Sequence, residues 1–196
     1  MSTARTKLDK AQFDQFLLEI APNMDSEGSS STKSNNVAWF QSNVKLDVKS
    51  YPAFDGEIGN WLKFKRSVLA LAATHNLLDV FNEQFSPPTN PGQEKDLFDA
   101  KNTFVYSIWT ARVYGTHPVQ ILRQFENTTD GRGAYLAFLD YYESNSNLED
   151  ASIIATNKLN NLVFTLLSNG GLPAFVNSFR QYILDLEEAG KPMDAG

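Results

Sequence analysis

The stretch Asp130–Ser144, DGRGAYLAFLDYYES, decides the fold class. Within it Tyr135, Phe138, Leu139 and Tyr142 fall at i, i+3, i+4 and i+7, the spacing that sets side chains along one stripe of a helix. Asp130 stands just ahead of the run, where a short acidic side chain caps the first turn.

The same period extends in both directions. Upstream, Trp61, Phe64, Val68 and Leu71 recur at three and four over about residues 58–73, with Lys63, Lys65 and Arg66 largely off that stripe. After a local break at His75 and Asn76 come Leu77, Leu78, Val80 and Phe81, and SPPTNPG (86–92) then enforces a loop. Leu97, Phe98, Phe104, Val105, Ile108 and Trp109 predict a long helix over 93–114, which Gly115 is suited to end. Thr116 and Pro118 open a short helix through Ile121, Leu122 and Phe125.

Downstream, Ser146 with Glu149 three places on forms a candidate capping box. Leu148, Ala151, Ala155, Leu159, Leu162 and Leu166 follow as a packing seam, and Asn169, Gly170 and Gly171 stop it. Pro173 restarts a last helix in which Phe175, Phe179, Tyr182, Ile183 and Leu186 share a face, until Gly190 and Pro192.

The N-terminal part reads differently. Phe13, Phe16, Leu17 and Ile20 make a short amphipathic helix within residues 1–22, and the Ser- and Asn-rich 23–36 reads as a flexible linker. Residues 37–196 form the remaining domain. At its start Val44, Leu46 and Val48 alternate, which suggests an extended arm or half of a β-hairpin, with Trp39 and Phe40 docked on the core. Pro52 pushes Tyr51 toward extended geometry, and Asp55 with Gly56 turns the chain into the first long helix. The expected fold is all-α: a compact domain of about six or seven helices, orthogonal or bundle-like, around a core that includes Trp61, Phe64, Tyr135, Phe138, Leu159 and Phe179.

Composition narrows the function classes. Hydrophobic residues make up 42% and aromatics 12%, ample apolar surface to offset the entropy of ordering the chain. A formal charge of −6 argues against a general polyanion binder, and the densest basic cluster, Lys63, Lys65 and Arg66, reads as a solvated helix face rather than an RNA site. With no cysteine there are no disulfides, thiolate zinc sites or thiol nucleophiles. No apolar run approaches the roughly 20 residues that span a bilayer, and the N-terminus lacks the apolar core of a signal peptide, so the expected location is the cytoplasm.

Catalytic candidates are few. His75 ends an amphipathic helix and His117 starts one, and neither sits in a metal-ligand pattern such as HExxH. Glu187 with Glu188, and Glu149 with Asp150, are neighbours that point in different directions from a helix, as solvated acids do. The glycines of DGRGA lack the lysine and the preceding strand of a phosphate-binding loop. The expectation is a protein that is not an enzyme and uses no cofactor and no metal.

Two stretches resemble the Gag family of copia-type retrotransposons. The first, YPAFDGEIGNWLKFKRSVLALAATHNLLDVF (51–81), is similar to the family's opening: an aromatic, a turn with Gly, Asn or Tyr before Trp, then a helix ending near an Asp. The second, DGRGAYLAFLDYYES, is similar to the segment in which members carry Ala, an aromatic and a Leu-rich helix ending in Tyr or Phe. The helix with Leu159 and Leu162, and then LPAFVNSFRQYILDLEEAGKPMDAG, resemble the next two helices. This resemblance implies the N-terminal part of a capsid region that self-associates into virus-like particles around element RNA. It implies as partners further copies of itself and other Gag-Pol segments. The family's Cys and His zinc knuckle is not in this chain, so RNA is expected to be met only indirectly or through other segments. The alternative is a monomeric or domesticated cellular adaptor whose helical surface binds a protein partner.

Overall fold

The computed structural model describes residues 37–43, 47–164 and 171–191. Among these the architecture is all-α, with eight α-helices: α1 (Val37–Asn43), α2 (Ile58–Thr74), α3 (Leu78–Phe81), α4 (Gln93–Arg112), α5 (Thr116–Arg123), α6 (Gly131–Tyr142), α7 (Asn145–Asn160) and α8 (Gly171–Glu188). No strand occurs among the described residues. A single parallel bridge joins Phe54 to Val113, through Phe54 N–H to Arg112 O at 2.8 Å and Tyr114 N–H to Phe54 O at 2.7 Å.

The core lies where α2, α4 and α6 meet. Each helix presents one apolar stripe there: Trp61, Phe64, Val68 and Ala72 from α2; Phe104, Val105, Ile108 and Trp109 from α4; Ala134, Tyr135, Phe138 and Tyr142 from α6. The rings interlock edge-to-face and offset. Trp61 stacks on Tyr142 at 4.8 Å between centroids, Phe54 stacks on Phe64 at 4.7 Å, and Trp109 meets Phe138 edge-on at 5.7 Å. Such pairs add about 0.5–1.5 kcal/mol each beyond the area they bury.

Asp130 caps α6 as its position suggests, its side chain accepting from Gly133 N–H at 2.9 Å. The start of α6 lies against the backbone of α4: a Cβ on Gly131 would stand 2.5 Å from Asn102 O and from Tyr106 N. The carbonyl of Gly131 accepts from Trp109 Nε1 at 2.9 Å.

Helices α7 and α8 pack on each other and on α2. Ala151, Ala155 and Leu186 are buried there, apart from the main apolar cluster. Gly59 makes the approach of α7 possible, because a Cβ at that place would stand 2.7 Å from Ile154 Cγ2.

Four expectations need correction. The segment after the linker is not an extended arm: Val37–Asn43 is helical and Val48–Ser50 forms a 3₁₀ turn capped by Asp47, while Val44 and Leu46 lie outside the described residues. Seven residues are too few for a helical period to be read against an alternating one. Phe40 is nevertheless buried, edge-on to Phe104 at 6.4 Å. The capping box at Ser146 and Glu149 does not form, because α7 begins two residues earlier behind Ser144, and Glu149 lies 3.4 Å from Lys191 instead. The helix also ends at Asn160, short of Leu162, and Leu166 lies outside the described residues. Finally, Phe179 is not a core residue. It is 42% exposed, whereas Trp61, Phe64, Tyr135 and Phe138 are buried and Leu159 is half-buried. Phe179 lies on nearly the same stripe of α8 as the buried Leu186, seven residues on, so its exposure follows from its place along the helix: the buried residues of α8 are Asp185 and Leu186, near the C-terminal end. The expected helix within 1–22 and the linker 23–36 lie outside the described residues.

Candidate functional site

Several of the residues that suggested chemistry have structural partners. The basic cluster on α2 is the clearest case. Lys65 lies 2.5 Å from Glu143 Oε1, which also accepts from Trp61 Nε1 at 3.0 Å. Arg66 lies 2.5 Å from Asp185 Oδ1 and 2.7 Å from Glu188 Oε2, the second contact being Coulombic, since its angle does not make a hydrogen bond. Burial opposes the charge of this guanidinium, but the two carboxylates outweigh it and hold its pKa above the ordinary value. Both cations are therefore half-buried struts between helices, not members of a solvated face. Only Lys63 of the three is exposed.

The DGRGA segment is equally committed. Asn102 Nδ2 donates to Asp130 Oδ1 at 3.0 Å, and Asn102 Oδ1 accepts from Arg132 N–H at 2.7 Å. The Arg132 guanidinium donates to the carbonyls of Val80 at 3.1 Å, Asn82 at 2.6 Å and Phe85 at 2.9 Å. It thereby holds the chain leaving α3, where helix carbonyls lack partners of their own. Burial draws its pKa down, against the pull of Asp130, Glu83 and Asp79. Both terminal nitrogens of the guanidinium are thus occupied by backbone carbonyls.

The histidines are apart in chemistry and surroundings. His75 caps α2, and its Nδ1 is 2.7 Å from the hydroxyl of the buried Tyr51. Burial pushes the Tyr51 phenol well above its usual range, so the hydroxyl stays protonated, and which partner donates follows from the imidazole tautomer. His117 is exposed at the start of α5 and stacks on Tyr141 at 3.9 Å between centroids. No carboxylate hydrogen-bonds to either ring among the described contacts. Two shallow depressions, one along Pro87–Glu94 and one between Lys63, Lys158 and Gln181, contain neither histidine. Among the described residues no group of His, Cys, Asp or Glu is arranged to hold a metal ion.

The His75 contact carries a pH dependence. Burial lowers the His75 pKa below its ordinary 6.5, so the unfolded chain takes up that proton more readily than the folded one. The contribution is present above pH 6.5 and is lost as pH falls through the folded pKa. Melting curves of the wild type and His75→Gln over that interval are expected to converge as pH falls, and parallel pH dependences would contradict it.

The surface carries a further feature. Seven large hydrophobic side chains are exposed among the described residues, and five of them, Val163, Phe164, Leu172, Phe179 and Leu184, lie between residues 163 and 184. Phe164 also meets Phe175 edge-on at 5.6 Å, so the segment leaving α7 leans on the start of α8. Between Lys158 and Asp185 the chain carries one charged residue, Arg180. Aromatic enrichment with depletion of charge marks the centre of protein interfaces, whereas total apolar area does not. The signal was present in the sequence: apolar residues on α8 cover too wide an arc for one buried stripe. None of the described helices is long and apolar enough to cross a membrane.

Comparison with family models, curated proteins and solved structures finds no match to this chain.

Proposed function

We propose that this chain is a non-enzymatic structural protein that works by touching its own kind, a capsid-like building block of the copia-type retrotransposon Gag sort that its sequence resembles. Copies assemble in the cytoplasm into virus-like particles, with element RNA enclosed by the assembly rather than gripped by this domain. The observation that carries the reading is the concentration of exposed large apolar side chains in the last part of the described chain, on Val163, Phe164, Leu172, Phe179 and Leu184. A patch of that kind is costly to leave in water, and its cost is removed when it is covered. Supporting it is the engagement of Lys65, Arg66, Arg132 and His75 in contacts that hold helices together. Weak contacts repeated under symmetry give a shell its avidity.

Sedimentation velocity over a wide concentration range, followed by electron micrographs of the concentrated protein, tests it. Species that grow with concentration and end in regular particles are the expected result. A strict monomer at every concentration would overturn the reading and leave the adaptor in its place.

A further inference from the structure

Where α2, α7 and α8 meet, the packing leaves a hollow of about 280 Å³, just under the roughly 300 Å³ at which pockets for drug-sized ligands begin. Gly59 lets Ile154 of α7 close on α2, and the Arg66 to Asp185 pair ties α8 to the same helix. No aliphatic side chain lines the hollow, so an apolar ligand would find nothing there to bury against. Its lining is rich in hydrogen-bond donors without partners. Asn177, Ser178 and Tyr182 of α8 make no hydrogen bond to the described chain, although Ser178 and Tyr182 are half-buried. Lys63 of α2 and Lys158 of α7 face the same hollow. Neither forms an ion pair among the described residues, in a sequence where Asp and Glu outnumber Lys and Arg by 23 to 17. Lys158 has one long contact, 3.3 Å, to the Gly59 carbonyl. Acceptors are scarcer: Asp185 is the one carboxylate in the lining, and its Oδ1 already accepts from Arg66 at 2.5 Å and from Gln181 Nε2 at 3.0 Å.

We propose that this hollow binds a small phosphate monoester, its phosphate held between Lys63 and Lys158 and its hydroxylated remainder over Ser178 and Tyr182. A surplus of donors, two of them cationic, suits a ligand built of acceptor oxygens. Lysine in place of arginine selects phosphate over carboxylate. A planar carboxylate is gripped best by the paired donors of one guanidinium, whereas two separate ammonium groups approach the oxygens of a tetrahedral phosphate from different sides. A phosphate monoester also carries about −1.5 to −2 near neutral pH, so two cations gain more from it than from a single carboxylate. Asp185 at the edge of the hollow repels a second acid and accepts from a hydroxyl, which makes the remainder a polyol. The bound ligand joins α2 to α7 and α8 across a seam that carries the Arg66 to Asp185 pair.

Equilibrium dialysis of the full chain against radiolabelled glycerol phosphate and against inorganic phosphate, at one fixed ionic strength, tests the site. One saturable site per chain is expected, tighter for glycerol phosphate than for inorganic phosphate and not displaced by glycerol or chloride. Lys63→Gln and Lys158→Gln are each expected to weaken binding about tenfold, as the loss of one charge-assisted hydrogen bond does. Lys63 is exposed, so Lys63→Gln is expected to keep the circular dichroism and melting temperature of the wild type. Ser178→Ala is expected to weaken glycerol phosphate and leave inorganic phosphate unaffected. Lys95→Gln, which removes a lysine paired with Asp99 on α4, is the control and is expected to bind as the wild type does. The absence of saturable binding by either probe would overturn the proposal, as would binding that survives Lys63→Gln and Lys158→Gln combined. An equal loss in Lys95→Gln would reduce the effect to overall charge and overturn the site. Glycerate bound as tightly as glycerol phosphate would overturn the choice of phosphate, and inorganic phosphate bound as tightly as its ester would overturn the monoester.

Discussion

Gly131→Val is expected to lower stability by about 3 kcal/mol or more, beyond the usual range for overpacking a core. The reason is space and not backbone conformation, since Gly131 lies in the first turn of α6 with ordinary helical geometry. A Cβ there would meet Asn102 O and Tyr106 N at 2.5 Å and Val105 C at 2.9 Å, all backbone atoms of α4 that have no rotamer to change. Relief requires the two helices to move apart, and that motion also pulls the Gly131 carbonyl from Trp109 Nε1 and loosens the rings around Trp109, which is 1% exposed. For a chain of 196 residues, 3 kcal/mol corresponds to a fall of roughly 6–12 °C in melting temperature. Gly133→Ala is the control. Its Cβ would also be crowded, at 2.4 Å from Asp130 Oδ2 and 2.7 Å from Phe125 Cε1, but those are side-chain atoms that rotate away. Its cost is expected to approach the loss of one helix cap, about 1 kcal/mol. Equal melting temperatures for the two variants would show that the α4 to α6 contact is not as tight as the backbone distances imply.

The contrast between those glycines also shows what kind of information the sequence carries. The α6 stripe and its Asp130 cap are legible because both are local: a period of 3.6 and a short acid at its start suffice. That Gly131 is a contact point is not legible, since its neighbours are supplied by α4, some thirty residues earlier (|i−j| of 30 between Arg132 and Asn102). The same limit explains the basic cluster. Lys65 and Arg66 look like a solvated face because their partners lie 78 and 119 residues away, and only the fold brings Glu143 and Asp185 to them. Phe179 illustrates a different limit. Periodicity says that Phe179 and Leu186, seven residues apart, share a helical face, but not how far along the helix that face is covered. The Arg66 to Asp185 pair, invisible in the local pattern, ties down the C-terminal end, where Leu186 is buried and Phe179 is not reached.

That pair is therefore the second place where a single change is expected to have a large effect, and it acts on assembly as well as stability. Arg66→Ala leaves Asp185, with 10% of its side chain exposed, without its cation, and leaves Glu188 beside it as a like charge. Removing one partner of a buried pair costs about 3–5 kcal/mol; here the arginine keeps 18% of its side-chain surface and Glu188 keeps 33%, so water screens part of the loss and roughly 2–3 kcal/mol is expected. The main aromatic cluster of α2, α4 and α6 does not depend on this contact, because Leu186 and the alanines of α7 lie apart from it. Amide hydrogen exchange should then accelerate in α7 and α8 while α4 and α6 keep their protection. If α8 is also the surface by which copies meet, the same substitution weakens assembly with no change to any apolar side chain on the helix, since a pairing face must be held rigid before it can be matched. Asp185→Asn separates the two consequences. It retains an oxygen able to accept from Arg66 and relieves the crowding of acids, so exchange in α8 is expected to remain close to wild type, and assembly with it. Rapid exchange throughout the protein in Arg66→Ala would mean that the pair of helices α7 and α8 and the aromatic core unfold together, contrary to the division of packing between them.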